Sequence, residues 1–170
     1  MDPNRLNKGE QIAAGSALFL LIVMFVFNWF SLGDEFEGID TGANAWQAFG
    51  FIDIILFITI IVAIGLAVLA ANSQSPNLPV AGSAIVTGLG GLCTLLLLFR
   101  LISPPGPDLP DGFDIDTSRS IGIYLGFLLS IGITYGGWMA MQEEGVSFQG
   151  EADRVSSGGD NPPPPPPPAA

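Results

Sequence analysis

The sequence predicts an all-α membrane protein: a bundle of four transmembrane helices followed by a disordered Pro-rich tail. Four long apolar blocks are separated by polar or Pro/Gly-rich stretches along the 170 residues. Each block has about the 20 residues that a helix needs to cross a bilayer. Charged residues make up only 12% of the chain, against about 25% in soluble domains. We therefore assign residues 1–145 to a four-helix transmembrane domain and residues 146–170 to the tail.

The predicted spans cover residues 11–31, 46–71, 80–102 and 119–141. The first follows a short basic head, as a signal peptide would. Its apolar run is longer than the core of a signal peptide and lacks a small-x-small cleavage site, so we expect a retained transmembrane helix. An acidic, glycine-containing loop ends this span, and prolines end the second and third, because proline cannot continue a helix.

The few basic residues suggest an orientation. Arg5 and Lys8 precede the first span, whereas the first loop contains neither Lys nor Arg. The positive-inside rule then favours an orientation with both termini in the cytoplasm. In this orientation aromatic side chains fall near both membrane interfaces, with Trp29, Trp46 and Tyr124 outside and Tyr135 and Trp138 inside.

The tail is polar, rich in Gly and Ser, and contains seven consecutive prolines, Pro162 to Pro168. It has too few apolar residues to form a core, so we expect disorder. The proline run favours a polyproline II rod of roughly 20 Å, at about 3.1 Å per residue. Such a rod can dock in an aromatic-lined groove of a protein partner, or it can act only as a solubilising spacer.

One pair of opposite charges lies within the apolar blocks. Asp53 falls about seven residues into the second span, roughly 10 Å from its start at 1.5 Å per residue. Arg100 lies near the end of the third span, in the same leaflet, and its long side chain can reach down. We predict that Asp53 and Arg100 form a structural or ion-responsive pair, with Asn28 and Trp46 as neighbours.

Small residues recur at helical spacing, most clearly in the fourth span. Gly122 and Gly126 are four residues apart, as are Gly132 and Gly136. Such flat faces allow close helix packing in lipid, where the hydrophobic effect between helices is weak. The contact can lie within one bundle or between copies of the chain, so oligomers through these faces remain an alternative.

Composition excludes several functions. The formal net charge of −11, with only five Lys and Arg residues, argues against nucleic-acid binding. The chain has no histidine and a single cysteine, Cys93, so it lacks the usual catalytic bases and soft metal ligands. We expect neither an enzyme nor a bound cofactor or metal. The acidic loops, with Asp111, Asp114 and Asp116 in one of them, contain only a fragment of a calcium loop.

Four short segments stand out along the chain: Phe27–Phe30, Ala45–Asp53, Phe99–Pro105 and Gly136–Trp138. Together they resemble a loosely defined family of small four-span membrane proteins of unknown function from actinobacteria. The resemblance covers roughly residues 11–144 and omits the tail. It implies a bacterial cell membrane as the location, and it assigns no activity and no functional residues.

Two functions remain open from the sequence. The first is a non-enzymatic integral membrane protein with a structural or protein-interaction role, in which the bilayer surrounds the bundle and the tail reaches a partner. The alternative is a small transporter, channel subunit or ion sensor that uses Asp53 and Arg100, because ionisable residues within a membrane span commonly have functional roles.

Overall fold

The computed structural model describes residues 6–32, 42–48, 50–72, 80–104 and 117–156. Within these ranges the chain is mostly helical, and its elements are α1 (Lys8–Val26), β1 (Phe30–Leu32), β2 (Gly42–Ala43), α2 (Ala45–Ala48), α3 (Phe51–Ala71), α4 (Gly82–Ile102), β3 (Thr117–Arg119), α5 (Ile121–Glu143) and α6 (Phe148–Ser156). The predicted proline run and both acidic loops lie outside the described residues.

Four helices, α1, α3, α4 and α5, are long and apolar enough to cross a membrane. They form a ring in chain order, in which each helix packs against two others and α1 closes against α5. Neighbouring helices run antiparallel, since Gly9 lies beside Ala140 and Gly132 lies beside Ser16 across the α1–α5 contact. We call the end with the strands the sheet end, and the end with α6 the α6 end.

Within an 18-residue apolar stretch of each of these four helices, only 28% to 39% of the residues are buried within the bundle. Many of the outward side chains are large and apolar, including Phe19, Ile61, Leu95 and Leu128. A surface of this kind is unfavourable in water and favourable in hydrocarbon. The four helices are therefore compatible with an integral membrane protein.

The second span begins later than predicted. The structure places a short helix, α2, at Ala45–Ala48 and starts α3 at Phe51, so the predicted helix over residues 46–71 is interrupted. Gly50 directly precedes α3, and glycine is a poor helix former. As a result Asp53 lies in the first turn of α3 and not two turns inside the helix.

The all-α prediction misses a small sheet. Strands β1, β2 and β3 form an antiparallel sheet in the order β2-β1-β3, in which Phe30 pairs with both Ala43 and Arg119. The first and fourth predicted spans, 11–31 and 119–141, each included residues that belong to this sheet. The reason is that backbone groups beyond the helix ends find their hydrogen-bond partners in distant segments of the chain.

Trp29 connects the sheet to the bundle. Its ring is fully buried between α1 and α5, so it contacts protein on its faces, and its predicted depth near the outer interface stays a prediction. Its backbone N–H donates to the Ala43 carbonyl at 2.8 Å, and its carbonyl accepts from the Ser120 N–H at 3.0 Å. Its indole Nε1 donates to the Val23 carbonyl at 3.0 Å, near the end of α1. These hydrogen bonds fix the segment between α1 and β1 against the sheet and the end of α1.

The prediction that the whole of residues 146–170 is disordered is wrong for Phe148–Ser156, which form α6. A Schellman motif ends α5: Gly145 adopts a φ of 69°, and the Val146 N–H donates to the Met141 carbonyl at 3.0 Å. The Ser147 hydroxyl then accepts from the Gly150 N–H at 3.2 Å and caps the new helix. Residues 157–170 lie outside the described part of the chain.

Candidate functional site

Asp53 is buried at the sheet end, with 4% of its surface exposed. Its Oδ1 accepts a hydrogen bond from the backbone N–H of Ile54 at 2.9 Å. A carboxylate in the first turn of a helix is also stabilised by the helix dipole. Asp53 therefore has a hydrogen-bond donor within its own helix.

The structure places Asp53 and Arg100 at the same end and at nearly the same height in the bundle. The Thr59 hydroxyl lies 3.1 Å from the Cys93 sulfur and sets the register between α3 and α4. From this contact Asp53 is about 9 Å and Arg100 about 10 Å towards the sheet end, at 1.5 Å per residue.

The two residues differ in the direction they face. Arg100 lies seven residues after Cys93, on nearly the same face of α4, whereas six residues turn Asp53 about 120° away from Thr59 on α3. A direct pair therefore depends on the length of the half-buried arginine side chain. The pairing of Asp53 with Arg100 stays a prediction.

The two predicted neighbours of this pair have other contacts. The Trp46 ring lies between Phe25 of α1 and Phe57 of α3, with centroid distances of 5.7 Å and 5.5 Å. The Asn28 carbonyl accepts from the Gly122 N–H at 3.0 Å, and its side chain lies against Gly42 of β2. Both residues therefore contact segments that assemble the sheet end.

The four glycines that the sequence analysis named in α5 all lie at contacts within one chain. A Cβ at Gly122 or Gly126 would collide with the Trp29 ring. A Cβ at Gly132 would lie 2.5 Å from the Ser16 hydroxyl oxygen, and one at Gly136 would lie 2.5 Å from the backbone nitrogen of Ala13. The glycines are thus the positions where α1 and its C-terminal extension approach α5 most closely.

Hydroxyl groups join the helices in the middle of the bundle, which the sequence analysis did not identify. Thr94 Oγ1 of α4 lies 3.1 Å from Ser130 Oγ and 3.3 Å from Thr134 Oγ1, both on α5. Ser130 and Thr134 donate to backbone carbonyls of their own helix, and Thr94, which also lies 2.9 Å from the Gly90 carbonyl, donates to the Ser130 hydroxyl oxygen. The spacing of Ser130 and Thr134, four residues apart on a glycine-rich helix, is the signal that could have revealed this contact.

Carboxylates form a second polar region at the α6 end. The Ser83 hydroxyl of α4 donates to Glu144 Oε2 at 2.6 Å. Glu151 of α6 is 5% exposed, and its Oε2 accepts from the Ala81 N–H at 2.9 Å. Glu10 forms a capping box with Asn7 at the start of α1, a pattern visible in the sequence.

The pKa of Glu144 lies above its ordinary value. Partial burial is the main cause, and the neighbouring carboxylates Glu10, Glu151 and Glu143 raise the pKa further. The hydrogen bond from Ser83 acts in the opposite direction, because it stabilises the charged form. This end of the bundle therefore carries mutually repelling negative charges held by hydroxyl and backbone donors.

Within the described residues, no group of three or more His, Cys, Asp or Glu side chains is placed to hold a metal ion. The loop carboxylates Asp111, Asp114 and Asp116, named in the sequence analysis, lie outside those residues. The comparisons with known proteins found no matching family model, no similar curated protein and no similar solved structure. The resemblance to the actinobacterial four-span family therefore stays a prediction.

Proposed function

We propose that this protein is a non-enzymatic integral membrane protein with a structural or protein-interaction role in the cell membrane. The bundle acts as a rigid anchor, and the segment after α6 carries the partner-binding function. The observation that supports this proposal most directly is the packing of α1 against α5, where Gly136 leaves no room even for a Cβ beside the backbone of Ala13 and Gly9. Such backbone contact favours a fixed bundle over one that opens and closes.

The hydroxyl contacts between α4 and α5 support the same proposal. Ser130 is fully buried, and its hydroxyl both donates to the Phe127 carbonyl and lies within hydrogen-bonding distance of Thr94. Polar groups that bond one another across a helix interface stabilise one arrangement of that interface. These contacts between α4 and α5 do not require a water-filled path through the bundle.

The partner-binding role is tested by purification in a mild detergent with three matched chains. These are the full chain, a chain ending at residue 156, and a full-length chain in which Gly/Ser residues replace Pro162–Pro168. We expect a specific partner with the full chain and its loss from both other chains, because only the full chain has the polyproline II rod. Retention of the partner by all three chains would refute a role for the proline run.

A second candidate is a small transporter, channel subunit or ion sensor that uses Asp53 and Arg100. It is favoured by the burial of Asp53 at the same height as Arg100. A double-mutant cycle with Asp53→Asn and Arg100→Gln measures whether the two side chains interact. A coupling below about 0.5 kcal/mol means that they act independently.

Flux measurements separate the two candidate functions. The chain is reconstituted in vesicles that contain a pH-sensitive or ion-sensitive dye, beside the Asp53→Asn variant. The anchor proposal predicts the same leak for both chains and for empty vesicles. A flux that the wild-type chain supports and Asp53→Asn abolishes would replace the anchor with the transporter or sensor.

A further inference from the structure

Helix α6 has one apolar face that its contacts leave largely uncovered. Phe148, Ala152 and Val155 recur at spacings of four and three residues and so share a face, while Gly150 and Asp153 lie on the opposite side. Phe148 is 49% exposed and Val155 is 63% exposed. An amphipathic helix of this kind needs an apolar environment along one side.

That face forms one wall of an open apolar groove. The opposite wall is the start of α4 together with Val80, two residues before this helix begins, and the groove has a volume of about 430 Å³. The apolar lining side chains are Val80, Ala84 and Ile85 on one wall and Phe148, Ala152 and Val155 on the other. A volume of this size is in the range of small-ligand sites.

The groove is fixed in place by the carboxylate of Glu151. This side chain accepts the backbone N–H of Ala81, the N-cap residue of α4, whose first N–H groups have no partner within the helix. The Schellman turn at Gly145 and the Ser147 cap hold the other end of the segment. Helix α6 is therefore bound across the start of α4.

Exposed aromatic residues mark the level of the groove relative to a bilayer. Tyr135 and Trp138 of α5 are exposed, and their rings lie 6.2 Å apart, as expected at the level of lipid headgroups. Gly137 contacts Thr87 of α4, so this aromatic pair has the same height as the second turn of α4. Ala84 and Ile85, in the wall of the groove, lie less than one turn away from that level.

The groove also continues into the outward surface of α4. Leu92 and Phe99 lie seven and fourteen residues after Ile85, on nearly the same side of the helix, and both are exposed. This stripe faces the hydrocarbon if α4 crosses the membrane. The molecule that meets both the stripe and the groove is then a membrane lipid.

We propose that α6 lies in the plane of the membrane interface and that the groove binds the acyl chain of a zwitterionic phospholipid. Helices with an apolar face parallel to the membrane surface bind lipid through that face. The carboxylates of Glu10, Glu144 and Glu151 lie at this end of the bundle and disfavour an anionic headgroup. The acyl chain therefore supplies the binding, and the headgroup has to be neutral.

Spin labels on α6 test its position in the membrane. Single cysteines are placed at Phe148 and Val155 on the groove face and at Gly150 and Asp153 on the opposite face, in a Cys93→Ala background. The labelled chains are reconstituted in phosphatidylcholine vesicles. We expect the groove-face labels to collide more with oxygen, which concentrates in hydrocarbon, and the opposite-face labels to collide more with a water-soluble nickel chelate.

Equal nickel accessibility at all four positions would overturn the proposal, because α6 would then lie in water. Protection of the groove-face labels from both reagents would also overturn it, because a protein segment or second copy would then cover the groove. A melting curve of each labelled chain confirms that the bundle is folded.

Native mass spectrometry tests the bound lipid separately. In Ala152→Phe a large side chain fills the groove, and in the matched control Asp153→Phe the same side chain points away from it. We expect Ala152→Phe to lose one bound phosphatidylcholine that the wild-type chain and the control retain. Equal lipid binding by all three chains, or stronger retention of phosphatidylglycerol than of phosphatidylcholine by the wild-type chain, would refute the groove as a site for zwitterionic lipid.

Discussion

Replacement of Gly136 by alanine should weaken the bundle by separating α1 from α5. The new Cβ would lie 2.5 Å from the backbone nitrogen of Ala13 and 2.7 Å from the carbonyl oxygen of Gly9. Both atoms belong to the backbone of α1, so no change of rotamer relieves the contact. Ordinary contact with a Cβ begins at 3.4 Å, which means that the two helices must move apart by about 1 Å.

The expected loss of unfolding free energy is about 2–3 kcal/mol, in the upper part of the range for overpacked cores. The movement affects neighbouring parts of the antiparallel α1–α5 contact as well, because small gaps already weaken dispersion contacts. Gly15 in α1 provides a matched control, since a Cβ there meets nothing within 4 Å. Gly15→Ala should therefore stabilise the helix by about 0.5–1 kcal/mol, the difference in helix propensity.

Both variants are compared with the wild-type chain by equilibrium unfolding in dodecyl maltoside micelles titrated with SDS, followed by circular dichroism. A Gly136→Ala chain that is as stable as Gly15→Ala would refute the close contact of α1 and α5. Light scattering of the same samples gives the oligomeric state. If Gly136→Ala dissociates a dimer and leaves the unfolding free energy unchanged, the glycine face packs between copies of the chain.

Three further variants test other contacts. Glu144→Gln keeps a hydrogen-bond acceptor and removes the charge. The folded-state pKa of this carboxyl is raised, so the wild-type chain loses stability as the pH rises from the ordinary value of 4.5 through the raised one. The variant should therefore have a higher Tm than wild type at pH 7 and an equal Tm below pH 4.5. A Tm difference that persists in acid would show that the raised pKa of Glu144 is not its cause. Trp29→Phe removes the bond to the Val23 carbonyl and leaves a void, at a cost of roughly 1–3 kcal/mol in SDS unfolding; no loss would mean that the indole is not an anchor. Ser130→Ala should cost about 0.6 kcal/mol, the average for hydrogen bonds between membrane helices, and the cost should vanish in a Thr94→Val background.

The sequence by itself determined the number, type and approximate bounds of the four apolar helices. This is a local property, because a helix satisfies its own backbone hydrogen bonds and only its length and apolarity decide whether it can cross a bilayer. Local capping signals are equally readable, as in the Asn7–Glu10 box at the start of α1 and Gly145 at the end of α5. The same local reasoning would have identified Ser147 as the cap of α6.

Only the tertiary structure decided which distant segments of the chain contact the ends of the helices. Trp29 has an aromatic ring suited to a membrane interface, yet it is buried because Gly122 and Gly126 of α5 leave space for it. The glycine spacing was visible in the sequence, but its partner is almost one hundred residues away along the chain. Apolar periodicity cannot say which distant segment fills a gap.

The same limit applies to the charged residues. Asp53 and Arg100 were found from their position in apolar blocks, and their common height follows from the register of α3 and α4. Their relative direction depends on helix rotation, which the loop between the helices does not reveal. Glu151 looked like one of many acidic residues in a polar tail, but its partner, the Ala81 N–H, is 70 residues away in the chain. A buried carboxylate is favourable there because an unpaired helix N-terminus needs an acceptor, and only the folded bundle brings the two together.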